Sequence, residues 1–239
     1  KDIKKPKISP DEILVKVKYA AVCGTDIRIF KGTKTIPSPK ILGHEFSGII
    51  EKVGINVKDY NIGDYVTVYP MIACGHCYAC KEKRTNICIN RKTIGYQYDG
   101  GFAEYIKIPS KAIKMGNVIN IPFNVGFKEA AISEPIAAAL HGITRADIKK
   151  NDRLLIIGAG PIGLFHVQLA KIKQPKIIIV SEPKAEKRKL AKKFGADILI
   201  DPIDYSIEKL VKEKTNGEGV DKIFIDISAP ELIERSLTL

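Results

Sequence analysis

The sequence predicts two folds in series: a mainly-β domain, then a doubly wound parallel α/β sheet. Three observations carry this. Short runs of alternating apolar and polar residues fill the first half, the period of half-buried strands. From Arg153 onward strand-like and helix-like segments alternate, the pattern of a parallel sheet. At the first strand-to-helix junction of that second part stands a glycine-rich turn, residues 158–163 (GAGPIG).

In chain order, residues 13–19 (ILVKVKY) alternate apolar and polar, and 48–53 (GIIEKV) and 64–69 (DYVTVY) repeat the style across turn residues such as Asn61 and Gly63. Residues 100–108 (GGFAEYIKI) read as a further strand after a glycine pair. Many short strands at close spacing predict a barrel-like or sandwich-like domain. The character changes near Lys128, where KEAAISEPIAAALHGI is Ala-rich and helical, with Pro135 starting or bending a helix. Residues 153–158 (RLLIIG) form a continuous apolar run, as in a strand buried on both faces. Then follow a helix over 161–173, a strand over 176–180 (KIIIV), a helix over 184–194 ended by Gly195, a strand over 198–200, a helix over 206–214 and a strand over 222–227. No internal repeat or low-complexity linker interrupts the chain. The expected domains are 1–138 and 139–239, with a cysteine lobe at 73–90 inserted between strands of the first.

At 239 residues, 45% hydrophobic and 28% charged, the chain has room for two cores. No apolar run approaches a membrane span and no signal peptide opens the chain, so the cytoplasm is expected and a membrane is not. The first residue is Lys1, without an initiator methionine, which reads as a fragment or a processed chain. Net charge is +12. A nucleic-acid partner would want those charges gathered into a stripe with aromatics. The lysines are instead spread along the chain and aromatics are only 7%. A solvated lysine-rich surface is therefore expected, with no nucleic acid bound.

Cys74, Cys77, Cys80 and Cys88 stand in a C-x2-C-x2-C-x7-C spacing. Four thiolates that close together can surround one cation, the ligand set of a structural zinc with no open position. Gly75 suits a sharp turn there, and the charges of residues 81–84 suit the lobe. Two disulfides are the plain alternative, disfavoured for tight multi-Cys spacing in a cytosolic chain. An iron–sulfur cluster is the other, and the run lacks its x2-x2-x3-C-P pattern.

Gly158, Gly160 and Gly163 follow a predicted strand and open a predicted helix, the context that gives G-x-G-x-x-G its meaning. Gly158 permits the tight turn, Gly160 lets backbone amides approach a pyrophosphate, and Gly163 lets helix pack on strand. With Pro161 and Ile162 in the first turn, the helix N-terminus offers unpaired N–H groups to the phosphates. Glu182, nineteen residues after Gly163, follows the end of the next predicted strand at Val180. An acidic residue there accepts from the ribose of NAD and repels a 2′-phosphate. It could instead merely cap the next helix. Lys184, Lys187 and Arg188 leave NADP as the less favoured cofactor.

Cys23 sits in CGTD, His44 and Glu45 in GHE, and Glu134 in SEP. Cysteine, histidine and carboxylate make a workable catalytic zinc set if one position stays open. Taken singly, each residue has an ordinary structural reading, as buried apolar thiol, satisfied histidine or cap. Together, the order CGTD, GHEFSG, four-cysteine lobe, EP and G-x-G-P-x-G resembles the zinc-containing medium-chain dehydrogenases, the alcohol dehydrogenase superfamily, and most of all its sorbitol and butanediol dehydrogenase branch. The resemblance covers nearly the whole chain.

It implies a GroES-like catalytic domain followed by a Rossmann domain, two zinc ions per chain, and a homo-oligomer, dimer or tetramer. Cys23 and His44 match the usual zinc ligands, and Glu45 and Glu134 match two alternative positions for the third. Asp26 matches a residue that orients the zinc histidine. Thr25 matches the hydroxyl that carries the substrate proton. The implied activity is hydride transfer from the secondary alcohol of a small polyol or diol to NAD. An amino-alcohol dehydrogenase of the L-threonine type and a non-catalytic homologue are the alternatives. Zinc-independent quinone reductases of the superfamily lack the cysteine lobe that this chain has. Two departures stand out. Arg28 replaces the histidine with which many relatives complete a proton relay, and arginine cannot deprotonate, so Arg28 is assigned to the cofactor phosphates. The chain also ends at Leu239, inside a predicted helix after the fourth Rossmann strand, where a dinucleotide fold has six. The sequence is thus expected to be truncated, to lack part of the nicotinamide pocket and to be inactive as given.

Overall fold

The computed structural model describes residues 2–228 and 230–236. The chain divides into two compact units, Lys1–Glu134 and Pro135–Leu239.

The first unit is built on β1 (Ile13–Ala21), α1 (Gly24–Phe30), β2 (Glu45–Val53), β3 (Tyr65–Val68), β4 (Met71–Ile72), α2 (Tyr78–Lys81), β5 (Lys92–Thr93), β6 (Tyr105–Ile108), α3 (Ser110–Lys114), β7 (Val118–Asn120) and α4 (Phe127–Ala131). Five of these strands form one antiparallel sheet in the order β6-β1-β2-β3-β7. Alternation along β1 and β2 sends Ile13, Val15, Phe46 and Ile50 into a core shared with Val66, Ile94, Ile106 and Ile108. Each such buried side chain contributes about 1.5–3 kcal/mol. The cysteine lobe interrupts the short β4–β5 pair. Only Tyr105–Ile108 of the expected 100–108 strand is β structure. The preceding amides of Gly100, Gly101 and Phe102 bond instead to the carbonyls of Ile41, Gly43 and Leu42. They are drawn to a loop rather than to a sheet partner, and they brace the segment that leads into His44.

Buried polar groups tie helices to this sheet. Ser47 donates to the Phe127 carbonyl at 2.6 Å. Thr67 donates to Phe46 O at 3.0 Å and lies 3.3 Å from the Ser133 hydroxyl. Ser133 begins α5 (Ser133–Ala146), so this contact anchors the helix turn that carries Glu134. The Ala-rich stretch is two helices, and Pro135 falls in the first turn of the second, where its missing N–H costs nothing.

The second unit continues with β8 (Arg153–Ile157), α6 (Pro161–Ile172), β9 (Ile177–Ser181), α7 (Ala185–Phe194), β10 (Ile198–Ile200), α8 (Ile207–Lys214), β11 (Lys222–Ile225) and α9 (Pro230–Ser236). The sheet is parallel with order β10-β9-β8-β11, the first four strands of a dinucleotide-binding order. One apolar cluster, including Leu154, Ile156, Val167 and Ile178, covers one face. A second, including Leu155, Ile157, Ile179 and Val211, covers the other. This explains why β8 and β9 read as unbroken apolar runs. Leu239 lies outside the described residues. Among the described residues no helix is long and apolar enough to cross a membrane.

Candidate active site

The β1–β2 register assembles the first site. Ala21 pairs with Glu45 at the ends of the two strands. Cys23, two residues on, therefore meets His44, one residue back. Ligand atoms of Cys23, His44 and Glu45 all lie within 4.8 Å of one another. Cys23 is the N-cap of α1 in a capping box: its sulfur accepts from Thr25 N at 3.5 Å, and the Asp26 carboxylate accepts from Cys23 N at 2.9 Å. The other Asp26 oxygen, Oδ1, faces His44 Nδ1 at 3.4 Å, and neither atom has a hydrogen-bond partner among the described residues. A proton on Nδ1 would satisfy both and leave Nε2, 3.9 Å from Glu45 Oε1, for a metal.

Charge in this cluster is unbalanced. The His44 imidazole beside Cys23 holds the thiol below its ordinary range, against the effect of burial. Burial alone would push His44 down, but Cys23, Asp26 and Glu45 outweigh it and hold the imidazole up. Burial pushes Glu45 up, with the Glu134 and Asp26 charges adding to it while His44 opposes, and burial also pushes Glu134 up. Several carboxylates and a thiolate surround one imidazole, an arrangement that a divalent cation would neutralise. The residues present fit zinc.

Cys23, Thr25, His44 and Glu134 line an open cavity of about 580 Å³ together with Lys34, Arg91 and Tyr96. Glu134 faces this cavity without joining the tight three-residue cluster. Arg28 donates to the Thr25 hydroxyl oxygen at 3.1 Å. Tyr96 was absent from the sequence-predicted set. Its ring meets His44 edge-on at 5.3 Å, and burial pushes its phenol up to about 12. Lys34 Nζ lies 4.6 Å from the same ring. Nothing in the local pattern GYQYDGG sets Tyr96 apart from a core tyrosine.

The cysteine lobe brings all four sulfurs together. Cys77–Cys80, Cys77–Cys88 and Cys74–Cys80 Sγ separations are 3.5, 3.8 and 3.9 Å. A tetrahedron with Zn–S bonds of about 2.3 Å requires sulfur edges of about 3.8 Å. Disulfide bonding would need about 2 Å, and all four thiols are free. A cubic cluster would hold the sulfurs much further apart. The amides of His76 and Cys77 help hold the Cys74 thiol down to about 6. Burial and the neighbouring sulfurs push Cys80 up to about 11. Four thiolates at this spacing need a cation between them.

In the second unit, Gly158 adopts φ +101°, and a Cβ on Gly163 would overlap the Gly158 carbonyl. The turn is thus closed to larger side chains at both places. Gly160 caps α6 without a side-chain bond and Pro161 opens the helix. The first-turn amides, including those of Ile162 and Gly163, are left for an anion. Gly158 and Glu182 line a cavity of about 520 Å³ with Ser181, Pro183, Lys184 and Lys187. Glu182 Oε2 accepts from Ala159 N at 2.8 Å and Oε1 from Lys184 N at 3.0 Å. The carboxylate therefore holds the glycine turn in place and keeps lone pairs for a ligand hydroxyl. The buried Ser181 hydroxyl has no partner among the described residues, and it too was absent from the sequence-predicted set. An orphaned hydroxyl, a fixed carboxylate and an uncapped helix start fit a dinucleotide.

Two family models match the chain, the alcohol dehydrogenase GroES-like domain over residues 9–118 and the zinc-binding dehydrogenase domain over 161–239. D-arabitol-phosphate dehydrogenase of Enterococcus avium is 38% identical over 242 residues, covering 100% of this chain and 67% of that protein. The chain belongs to the zinc-containing medium-chain dehydrogenases. L-threonine 3-dehydrogenase of Pyrococcus furiosus is 39% identical, over 97% of this chain and 66% of its own length. A zinc-binding dehydrogenase of Sinorhizobium meliloti 1021, solved with NADP, superposes with a TM-score of 0.91 at 35% identity, over 99% of this chain and 68% of that one. The chain thus spans about two thirds of the length of these medium-chain dehydrogenases, with both of the family's domains represented.

Proposed function

We propose that the protein is a zinc-dependent oxidoreductase that oxidises the secondary alcohol of a small polyol or diol to a ketone with NAD. The convergence of Cys23, His44 and Glu45 at the edge of a polar cavity carries the reading. These three would hold the catalytic zinc, with Glu134 on the cavity side as the carboxylate able to exchange with Glu45. Cys74, Cys77, Cys80 and Cys88 would hold the structural one. A catalytic zinc supplies Lewis acidity that lowers the pKa of a substrate hydroxyl. NAD supplies the hydride acceptor.

The chain's own residues manage the proton and the geometry. Asp26 keeps the Nδ1 proton of His44 and so orients the ring. Thr25 takes the substrate proton as its own leaves. Arg28 already donates to Thr25 and cannot accept, so that proton goes to water or a cofactor hydroxyl rather than along the side chain. Arg28 thereby fixes the Thr25 rotamer, beside its proposed contact with cofactor phosphate. Glu182 favours NAD through the ribose and repels a 2′-phosphate. Glu182→Ala is expected to weaken NAD binding by about 1–3 kcal/mol, because both the ribose and the Ala159 amide lose an acceptor. Titration calorimetry reads this directly, and unchanged affinity would reduce Glu182 to a helix cap.

Lys34 and Arg91 on the cavity wall favour a second reading, a substrate that also carries phosphate or carboxylate. Relatives named for an arabitol phosphate and for threonine agree with it. The full-length protein should be assayed for NAD reduction on sorbitol, butanediol, threonine, polyol phosphates and ethanol. A polyhydroxy or anionic substrate should exceed ethanol in kcat/KM by about 100-fold, since an analogue without the extra groups leaves polar side chains unpaired. Preference for ethanol would overturn the assignment, and silence on every alcohol would favour a non-catalytic homologue. Five free cysteines agree with a reducing, cytoplasmic setting. A dimer or tetramer completes the proposal and is read by sedimentation.

A further inference from the structure

We propose that Asp201 is a determinant of cofactor specificity, acting by holding Arg188 away from the position of a 2′-phosphate. This rests on the reading that a dinucleotide binds at the cavity beside Glu182.

Helix α7 begins beside that cavity, and three cations stand at its start: Lys184 at the N-cap, then Lys187 and Arg188 in the helix. Lys184 and Lys187 line the wall, whereas Arg188 does not. The Arg188 guanidinium is instead committed behind the wall. Its Nη1 donates to the carbonyls of Glu182 and Pro183, both at 2.7 Å. Its Nη2 pairs with Asp201 Oδ2 at 2.8 Å. The two side chains are only 20% and 17% exposed, so this pair is more sheltered than a surface ion pair.

The consequence for recognition follows from the donors. A guanidinium binds phosphate through a planar fork, and does so better than an ammonium. Turning Arg188 toward a 2′-phosphate would break three hydrogen bonds and strand a largely buried carboxylate, which is costly. Glu182 thus repels the 2′-phosphate from inside the cavity, and Asp201 withholds the side chain best suited to bind it. Sequence spacing places Arg188 among the NADP-favouring residues. The fold removes it, because β10 delivers Asp201 to the other side of the same guanidinium.

Asp201 has one local duty that a test variant must preserve: Oδ1 accepts from Ile203 N at 3.1 Å. Asp201→Asn keeps an amide oxygen for that bond and removes the charge. Binding of adenosine 2′,5′-bisphosphate and of 5′-AMP to the full-length protein should be measured by calorimetry. Asp201→Asn should bind the bisphosphate about tenfold more tightly than wild type while 5′-AMP changes less than about twofold. Adding Arg188→Ala should erase the gain. No gain, or a gain that survives loss of Arg188, overturns the proposal and leaves Lys184 and Lys187 as the phosphate ligands. Wild-type protein that binds neither 5′-AMP nor NAD overturns the underlying cofactor reading, and this inference with it. If Asp201→Asn does not fold, Asp201→Ser supplies a hydroxyl acceptor for the same turn and is held to the same outcomes.

Discussion

Replacing Cys23 with serine is expected to lower kcat/KM by at least about 1000-fold, about 4 kcal/mol of transition-state stabilisation, while the protein stays folded. The two halves of this result have separate causes. Serine is a good N-cap and can still accept from the Thr25 amide, so α1 keeps its start. A neutral hydroxyl is a far poorer zinc ligand than a thiolate, and the remaining pair, His44 and Glu45, cannot close the set. Metal analysis should therefore fall from two zinc ions per chain to one, with the thermal melt little changed. A variant that keeps two zinc ions and full activity would remove Cys23 from the site. Wild-type protein that holds one zinc, or none, when freshly purified would undo the two-site assignment as a whole.

Cys77→Ser should do the reverse, losing stability before chemistry. The lobe between β4 and β5 has almost no apolar core of its own: Ala73, Cys74 and Cys88 form its one buried cluster, with Cys77 and Cys80 packed against them, and Ala79 is buried beside it in sequence. Such a segment depends on its metal for order, because metal-binding free energy is folding free energy there. Loss of one thiolate should cost on the order of 5 kcal/mol and lower the melting temperature by more than about 10 °C. In the protein that remains folded, kcat should fall less than about tenfold. Mild chelation should show the same division, stripping the open site and activity first and the closed four-sulfur site slowly. A melt unchanged in Cys77→Ser would mean that the lobe is held by something other than a cation.

Much of the fold was legible because its signals are local. Period-two alternation in β1, unbroken apolar runs in β8 and β9, and glycines at the α6 turn each report the surroundings of their own segment. The expected 100–108 strand failed for the opposite reason. Gly100–Phe102 bond to residues 41–43, a distant segment whose pull leaves no mark on local periodicity. The clustering of the four-cysteine lobe was legible since all four sulfurs fall within fifteen residues. Tyr96, Ser181 and Asp201 were not, since each is an ordinary residue until the fold supplies its neighbour.

What the sequence determined by itself was therefore the class of each part: a β domain with a four-cysteine lobe, a parallel α/β sheet with a glycine-rich strand-to-helix turn, and a short set of residues able to ligate a metal. Tertiary structure alone decided which of them meet. The β1–β2 register brings Cys23 to His44 and Glu45 and leaves Glu134 on the cavity side. The β9–β10 pairing sets Asp201 against Arg188. Ligation and ion pairing act over a few ångströms in space. Sequence reports that distance only where the chain is too short to separate its own residues, as in the lobe, and elsewhere the strand register must supply it.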